Sequence, residues 1–395
     1  MSSHNVGSRA SKPYVSLMEG RSIYEPEHQL YREQVRRFFA AELMPHIDQW
    51  EEEGMIPREL YRKAGSAGLL CPCTPEAYGG PGADFRYMCV VDEELGYTGQ
   101  SSFTIQTHTD IISAYLEALG TEEQKKHWLP RMVRGETIGA IALTEPHAGS
   151  DLKAMRTSAR LDGDEYVISG SKTFITNGIN ADLIIVACKT APELGSKGVS
   201  LILVEGDRAG FRRGRRLKKM GMKASDTAEL FFDDVRVPVS NLLGEENRGF
   251  AQVMHEIPRE RLSIATIATA SAQKAFDITV AYVKERQIFG KPLMDFQNTQ
   301  FKLAELKTQL TAAWALIDQS ITRQMAGTLT TDEAACAKLF TTELQCRMVD
   351  DCLQMHGGWG YMSEMPISRM YVDARVRRIA GGSSEVMKML IARTL

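Results

Sequence analysis

The segment Leu143-Thr144-Glu145-Pro146-His147-Ala148-Gly149-Ser150-Asp151 sets hydroxyls at Thr144 and Ser150 on a backbone made irregular by Pro146 and Gly149. Such a stretch can offer N–H and O–H groups to a polar ring; the plainer alternative is a connecting loop. In Lys172-Thr173-Phe174-Ile175-Thr176-Asn177-Gly178, alternation puts Phe174 and Thr176 on one face of a strand. That pair could stack on a planar ring and bond its edge, or be an ordinary core aromatic with a neighbour. Arg286, in Lys284-Glu285-Arg286-Gln287-Ile288-Phe289-Gly290-Lys291, could grip a pyrophosphate through paired hydrogen bonds, or sit at a solvated helix end closed by Gly290. Gln354-Met355-His356-Gly357-Gly358-Trp359-Gly360-Tyr361 holds glycines that allow a ligand close to the backbone. A helix C-cap would need only one of them.

The elements that must position these residues fall into zones. Residues 1–22 are Ser-rich without an apolar run, so they read as a disordered lead-in and not a secretory signal. Residues 23–139 read as a helical domain. Leu30, Val35, Phe38, Phe39 and Leu43 form a helical stripe, Pro57 can open a second helix, and Thr121-Glu122-Glu123-Gln124 resembles a capping box. Residues 140–245 turn to short strands, among them Tyr166–Ser169, Phe174–Thr176, Leu183–Val186, Val199–Val204 and Leu230–Phe232, which suggests a small β-sandwich or barrel. Residues 246–395 return to helices. Leu303, Leu306, Leu310, Trp314, Ile317 and Ile321 make an apolar seam. Asp332 can cap a helix that carries Ala335, Leu339, Cys346, Val349 and Leu353 inward. The fold class expected is mainly α with a central β domain, closing in a C-terminal four-helix bundle.

Composition narrows the function. The 395-residue chain has 47 Lys+Arg against 50 Asp+Glu, too even a balance for a dedicated nucleic-acid binder. No apolar run is long enough to predict stable membrane insertion. Seven cysteines cannot all pair within one chain, and the Cys71-Pro72-Cys73 spacing is too short for a usual zinc clip. His147, His255 and His356 have no ligand spacing, so no metal is expected. The basic run Arg208, Arg212, Arg213, Arg215, Arg216, Lys218 and Lys219 reads as a solvated strand edge, with attraction of phosphates or a redox partner as the alternative.

Taken together and in this order, the Thr-Glu-Pro-x-Ala-Gly-Ser-Asp, Ile-Thr-Asn-Gly, Arg-x-x-Phe-Gly and Gln-x-His-Gly-Gly-x-Gly strings resemble those of the acyl-CoA dehydrogenase family of flavoproteins. The resemblance runs from about Tyr24 to Leu395. It is most similar to the family's long-chain branch through Glu256-Ile257-Pro258-Arg259-Glu260-Arg261-Leu262 and His356–Met362. It implies FAD, an acyl-CoA substrate, an electron-transfer flavoprotein as partner and a homotetramer. It further implies that Leu143, Thr144, Gly149, Ser150, Phe174 and Thr176 serve the flavin, with Ser150 also near the substrate. Arg286, Phe289, Gln297, Gln354 and Gly358 would reach the FAD of a neighbouring subunit, and Ser383 and Glu385 complete the cofactor set. The absence of a targeting peptide suits a bacterial cytoplasm, with a processed mitochondrial matrix protein as the alternative.

The implied reaction is removal of an α-proton from an acyl thioester and of a β-hydride, giving a trans-2-enoyl-CoA. Many family members carry the base near the C-terminus, at the position of Gly381 in Ile379-Ala380-Gly381-Gly382-Ser383-Ser384-Glu385. Gly381 has no side chain, and Glu385 falls outside the reacting position. A subset of the family supplies the base from an earlier helix, and that position matches Glu260. Pro258 just before it should disturb the helix. By the same resemblance the Gly381 N–H would hold the thioester carbonyl, Arg261 and Ala380 would face the substrate, and the small Ala380 and Gly381 leave room for a long or bulky acyl group. An acyl-CoA oxidase, a dehydrogenase of branched, aromatic or polycyclic esters, and a non-catalytic FAD-binding subunit are the rivals.

Overall fold

The computed structural model describes residues 15–395. Pro26 opens α1 (Pro26–Phe38), where its missing N–H leaves no bond unmade. The stripe does not continue as one helix to Trp50. A π-helical turn (Phe39–Leu43) and a 3₁₀ turn holding Pro45 (Met44–His46) intervene before α2 (Ile47–Glu53). Val35, Phe38, Phe39 and Leu43 are buried as expected, but Leu30 lies on the outer face of α1, 68% exposed. The lead-in expected over 1–22 needs correction at its end. Met18 sits in the core, and Arg21 bonds the carboxylates of Glu93 and Asp318. Residues 1–14 lie outside the described residues.

Pro57 caps α3 (Arg58–Ser66), and α4 (Phe85–Tyr97) follows. A π-helical turn, Thr107–Ile112, runs straight into α5 (Ser113–Leu119). Thr121 forms the expected capping box with Gln124 at the start of α6 (Glu122–Val133).

The β domain is one mixed sheet that folds over on itself. Its strands are β1 (Gly139–Ala142), β2 (Ser158–Asp162), β3 (Glu165–Ile175), β4 (Leu183–Lys189), β5 (Val199–Glu205), β6 (Phe211–Arg216), β7 (Ala228–Pro238) and β8 (Leu242–Leu243). One leaf runs β6-β7-β3-β2; the other holds β4, β5 and β8, with β1 parallel to β4. The leaves join through the single pair Ser158↔Lys189. Ala159, Tyr166, Ile168, Leu230 and Val235 of the first leaf close on Ile184, Val186, Ile202 and Val204 of the second. Arg212, Arg213, Arg215 and Arg216 of the basic run lie on β6, an edge strand, and are exposed, so charge blunts an open edge; Arg208, Lys218 and Lys219 fall in the flanking segments.

The C-terminal helices are α7 (Gly249–Glu285), α8 (Gln297–Met325), α9 (Thr331–His356), α10 (Pro366–Ala374) and α11 (Ser384–Ala392). The α8 seam is buried throughout. Between α7 and α8, Gln287–Ile288 and Lys291–Pro292 pair as a hairpin. Phe289 and Gly290, both at positive φ, form its turn. Two expectations for α9 change. Thr330, not Asp332, is its cap. Its inner face includes Ala335 and Val349 as expected, with Ala334, Ala337, Lys338, Thr341, Gln345 and Met348, while Leu339, Cys346 and Leu353 are only half-buried. A buried lysine replaces the expected leucine.

Candidate active site

The Glu145 carboxylate organises the loop after β1. It accepts from the backbone N–H of Arg156 at 2.7 Å, that of Thr157 at 3.0 Å and Lys172 Nζ at 2.9 Å. Lys172 Nζ also donates to the Leu143 carbonyl at 3.1 Å. Burial alone would raise the Glu145 pKa, but these donors hold it below the usual carboxylate value. Glu145 and Ala148 close a tight turn by exchanging backbone bonds of 2.8 and 3.1 Å. Leu143 and Thr144 are thereby half-buried, while Gly149 and Ser150 stay exposed.

The Thr173 N–H donates to the Thr144 carbonyl at 2.9 Å, tying this loop to the end of β3. There the strand is bulged between Lys172 and Ile175, and Phe174 has φ 59°. Its ring is 66% exposed beside a fully packed domain. Phe174–Thr176 is not a separate strand: β3 ends at Ile175 and Thr176 begins the turn. Ile175 is buried between them, so both side chains remain on the open side.

Glu260 lies on α7, which continues through Pro258 as one 37-residue helix. The expected disturbance is confined to the N–H that proline lacks, which leaves the Met254 carbonyl without its i→i−4 donor. Tyr115 Oη on α5 donates to Glu260 Oε1 at 2.9 Å. One turn further along α7, Ser263 Oγ donates to Asp110 Oδ2 of the π-helical turn. Burial raises the Glu260 pKa to about 7, with Glu256 and Asp110 adding to the rise and Tyr115 and Arg261 opposing it. A carboxyl so poised can take a proton near neutral pH. Asp110 is itself raised to about 6 by burial, and Asp92, buried beside it, is held well above the usual value.

Replacing Tyr115 by Phe removes the donor that favours the ionised Glu260. The expected result is a Glu260 titration shifted to higher pH. The rising limb of activity against pH should move alkaline by about one unit, with loss of turnover at pH 7 and little at pH 9.

Gly381 and Gly382 have φ of 64° and 92° in the turn before α11. A Cβ on Gly381 would lie 2.5 Å from Cδ1 at the end of the Ile264 side chain, which would have to shift, and the positive φ would strain any other residue there. Lys338 Nζ of α9 donates to the Gly382 carbonyl. Ala380 and Gly381 face the surface. Ser383 caps α11 by accepting from the Val386 N–H at 3.4 Å, and Glu385 is exposed in its first turn. Backbone and Ser383 hydrogen bonds lower the Glu385 pKa, which unsuits it to the role of a base.

Of the residues expected at a pyrophosphate, Arg286, Gln354 and Gly358 line one groove of about 800 Å³, with Tyr282, Asn298 and His356. Phe289 and Gln297 do not line it; Phe289 projects from the hairpin turn, 94% exposed. No residue of the β domain lines it, so within one chain it is separate from the Thr144–Phe174 rim. Tyr115, Asp110, Ser263 and Lys338 were not singled out from sequence. A polar residue on a buried helix face leaves no periodic mark, and only Asp110 and Tyr115, set among apolar neighbours, offered any signal.

Three family profiles match the chain in order: "Acyl-CoA dehydrogenase, N-terminal domain" over residues 25–136, "middle domain" over 140–235 and "C-terminal domain" over 247–395. The chain belongs to the acyl-CoA dehydrogenase family. It is 48% identical to the mitochondrial long-chain specific acyl-CoA dehydrogenase of Sus scrofa over 95% of this chain and 88% of that one. It is 38% identical to the acryloyl-CoA reductase (NADH) of Anaerotignum propionicum, over 93% of this chain and 94% of that one. The crystal structure of an acyl-CoA dehydrogenase from Geobacillus kaustophilus superposes with a TM-score of 0.92 at 48% identity, covering 94% of this chain and 98% of that one.

The family is FAD-dependent, and the residues present fit that group. Phe174 offers an exposed ring beside the Thr144 loop. Cβ atoms built on Gly149, Gly357 and Gly358 would meet nothing within 4 Å, so the backbone there is open to a ligand. The groove beside the latter two holds a guanidinium, amides and His356 Nδ1, which is buried without a partner. This is a donor set for ribose and pyrophosphate oxygens.

Proposed function

We propose that this enzyme dehydrogenates long-chain or bulky acyl-CoA thioesters to trans-2-enoyl-CoA, with Glu260 as the base. The observation that carries the reading is the Glu260 carboxyl, raised to about 7 and oriented by Tyr115, in a chain whose position 381 is a glycine with no side chain to act as base. Glu260 takes the α-proton. The Gly381 N–H holds the thioester oxygen as enolate character develops on it. FAD, when bound, supplies the hydride acceptor. Thr144 and Thr176 orient its ring, Phe174 covers one face, and Leu143, Gly149, Ser150, Ser383 and Glu385 surround it. Arg286, Gln354 and Gly358, with Phe289 and Gln297 at their edge, serve the FAD of a neighbouring subunit in a homotetramer. That assignment is supported by the separation of their groove from the Thr144–Phe174 rim. Arg261 and Ala380 face the acyl group, and an electron-transfer flavoprotein removes the electrons.

The acryloyl-CoA reductase relative favours a second reading, the same proton transfer run in reverse with Glu260 as acid. Anaerobic titration of the purified protein with acyl-CoA esters of graded length and branching tests both. Loss of visible flavin absorbance with long or bulky esters is the expected result. No bleaching with any saturated ester, together with reoxidation of the reduced protein by 2-enoyl-CoA, would move the assignment to the reductase.

A further inference from the structure

Lys338 is 1% exposed on the inner face of α9. A buried ammonium is costly unless it is paired. This one forms no ion pair among the described residues, and its hydrogen bond goes to the neutral carbonyl of Gly382. The charge that acts on it from α7 is another cation, Arg261, 3% exposed, with Nε and Nη1 lacking hydrogen-bond partners among the described residues. Lys338 therefore reaches the Gly381–Gly382 turn with a second buried cation acting on it. A Cβ on Gly381 would lie 3.6 Å from Lys338 Cε and 3.9 Å from its Nζ. Folding gains little from this arrangement. A site where negative charge appears during the reaction would gain a great deal, because a fixed charge in a dry setting acts without reorganisation.

We propose that Lys338 is a positioning residue for the thioester: its ammonium pins the Gly382 carbonyl, fixes the direction of the Gly381 N–H, and sets positive charge beside the oxygen that becomes enolate-like. This rests on the assignment of Gly381 to the thioester oxygen. Two glycines in succession would not hold one N–H direction by themselves, since glycine populates positive and negative φ about equally. The bond from α9 supplies the missing constraint. Burial, reinforced by Arg261, lowers the Lys338 pKa to about 8, so the ammonium is present at neutral pH and lost in mild alkali.

The test uses the FAD-loaded enzyme, wild type beside Lys338→Met and Lys338→Arg, with an ester that bleaches the wild type. Lys338→Met is expected to lower kcat by about 100-fold, the scale for loss of one oxyanion-stabilising group, with KM changed less than about threefold. Its Tm should not fall, because methionine fits an apolar site without needing a partner. Lys338→Arg should restore much of kcat and remove the wild type's decline in rate above about pH 8, since guanidinium stays charged. Wild-type kcat in the methionine variant, or the same alkaline decline in the arginine variant, would overturn the proposal. Should the methionine variant fail to fold, the arginine profile alone decides. Failure of the wild type to bleach with any ester would instead remove the underlying reading of the reaction.

Discussion

Glu260→Gln is expected to lower the rate of α-proton removal by about 10²–10⁴-fold while leaving acyl-CoA affinity within a few-fold. Glutamine keeps the shape and the contact with Tyr115 Oη but cannot take the proton. Stopped-flow anaerobic bleaching gives the rate, and equilibrium titration with a non-oxidisable thioether analogue gives the affinity. Equal bleaching rates in both proteins would remove Glu260 from the chemistry. The wild-type rate should also rise with pH through about 7, because the base must be ionised. Stability has the opposite sense. A carboxyl whose folded pKa lies above its unfolded value binds its proton more tightly when folded. Its ionisation therefore costs stability progressively between about pH 4.5 and 7, and fully above that. Glu260→Gln should accordingly melt higher than wild type at pH 8 and at nearly the same temperature at pH 4.5.

The second large effect concerns the loop that comes after β1. Lys172→Met leaves the Glu145 carboxylate buried without its counter-charge, and breaking a buried pair from one side costs about 3–5 kcal/mol. The Leu143 carbonyl loses its donor in the same step. Urea denaturation should report the loss, and the purified protein should carry less flavin because the Thr144–Ser150 segment loses its anchor. Adding Glu145→Gln should recover part of the stability, since a neutral amide needs no cation. The flavin should not return fully, because the amide serves the Arg156 and Thr157 N–H groups less well than a carboxylate. Retention of wild-type stability by Lys172→Met would show that the ion pair does not hold this loop.

Sequence spacing captured the features that depend on local chemistry. The helix–strand–helix order, the α8 seam and the Thr121 cap all come from periodicity or from one side chain answering one N–H. Glu260 comes from the family resemblance, which offers its position for the base once Gly381 carries no side chain. Periodicity missed the residues whose environment is set by other elements. Lys338 is inward because α7 and the Gly381 turn close over it, and nothing in α9 announces that. The face through Leu339 was off by one residue for the same reason. Pro258 lies inside an unbroken helix because packing along α4 and α9 outweighs one missing bond. Phe174 adopts φ 59° because Thr144, Thr173 and the bulge after Lys172 fix the strand end, which no dipeptide preference encodes.

The π-helical turn at Thr107–Ile112 has a consequence for how this chain could have arisen and how it could be altered. Such a turn inside an α-helix amounts to one inserted residue. Its excision would relax the segment to an ordinary helix and rotate the residues before it against those after it by about 100°. Excision before Asp110 would leave Asp110 and Tyr115 five apart on an ordinary helix and on different faces, so they could no longer both meet α7 at Ser263 and Glu260, whereas excision of Ile111 or Ile112 would leave them four apart on one face. The orientation of the Glu260 carboxyl by Tyr115 thus depends on chain length within one short segment. Single-residue deletions on either side of Asp110 would read that dependence as different shifts in the pH at which Glu260 ionises.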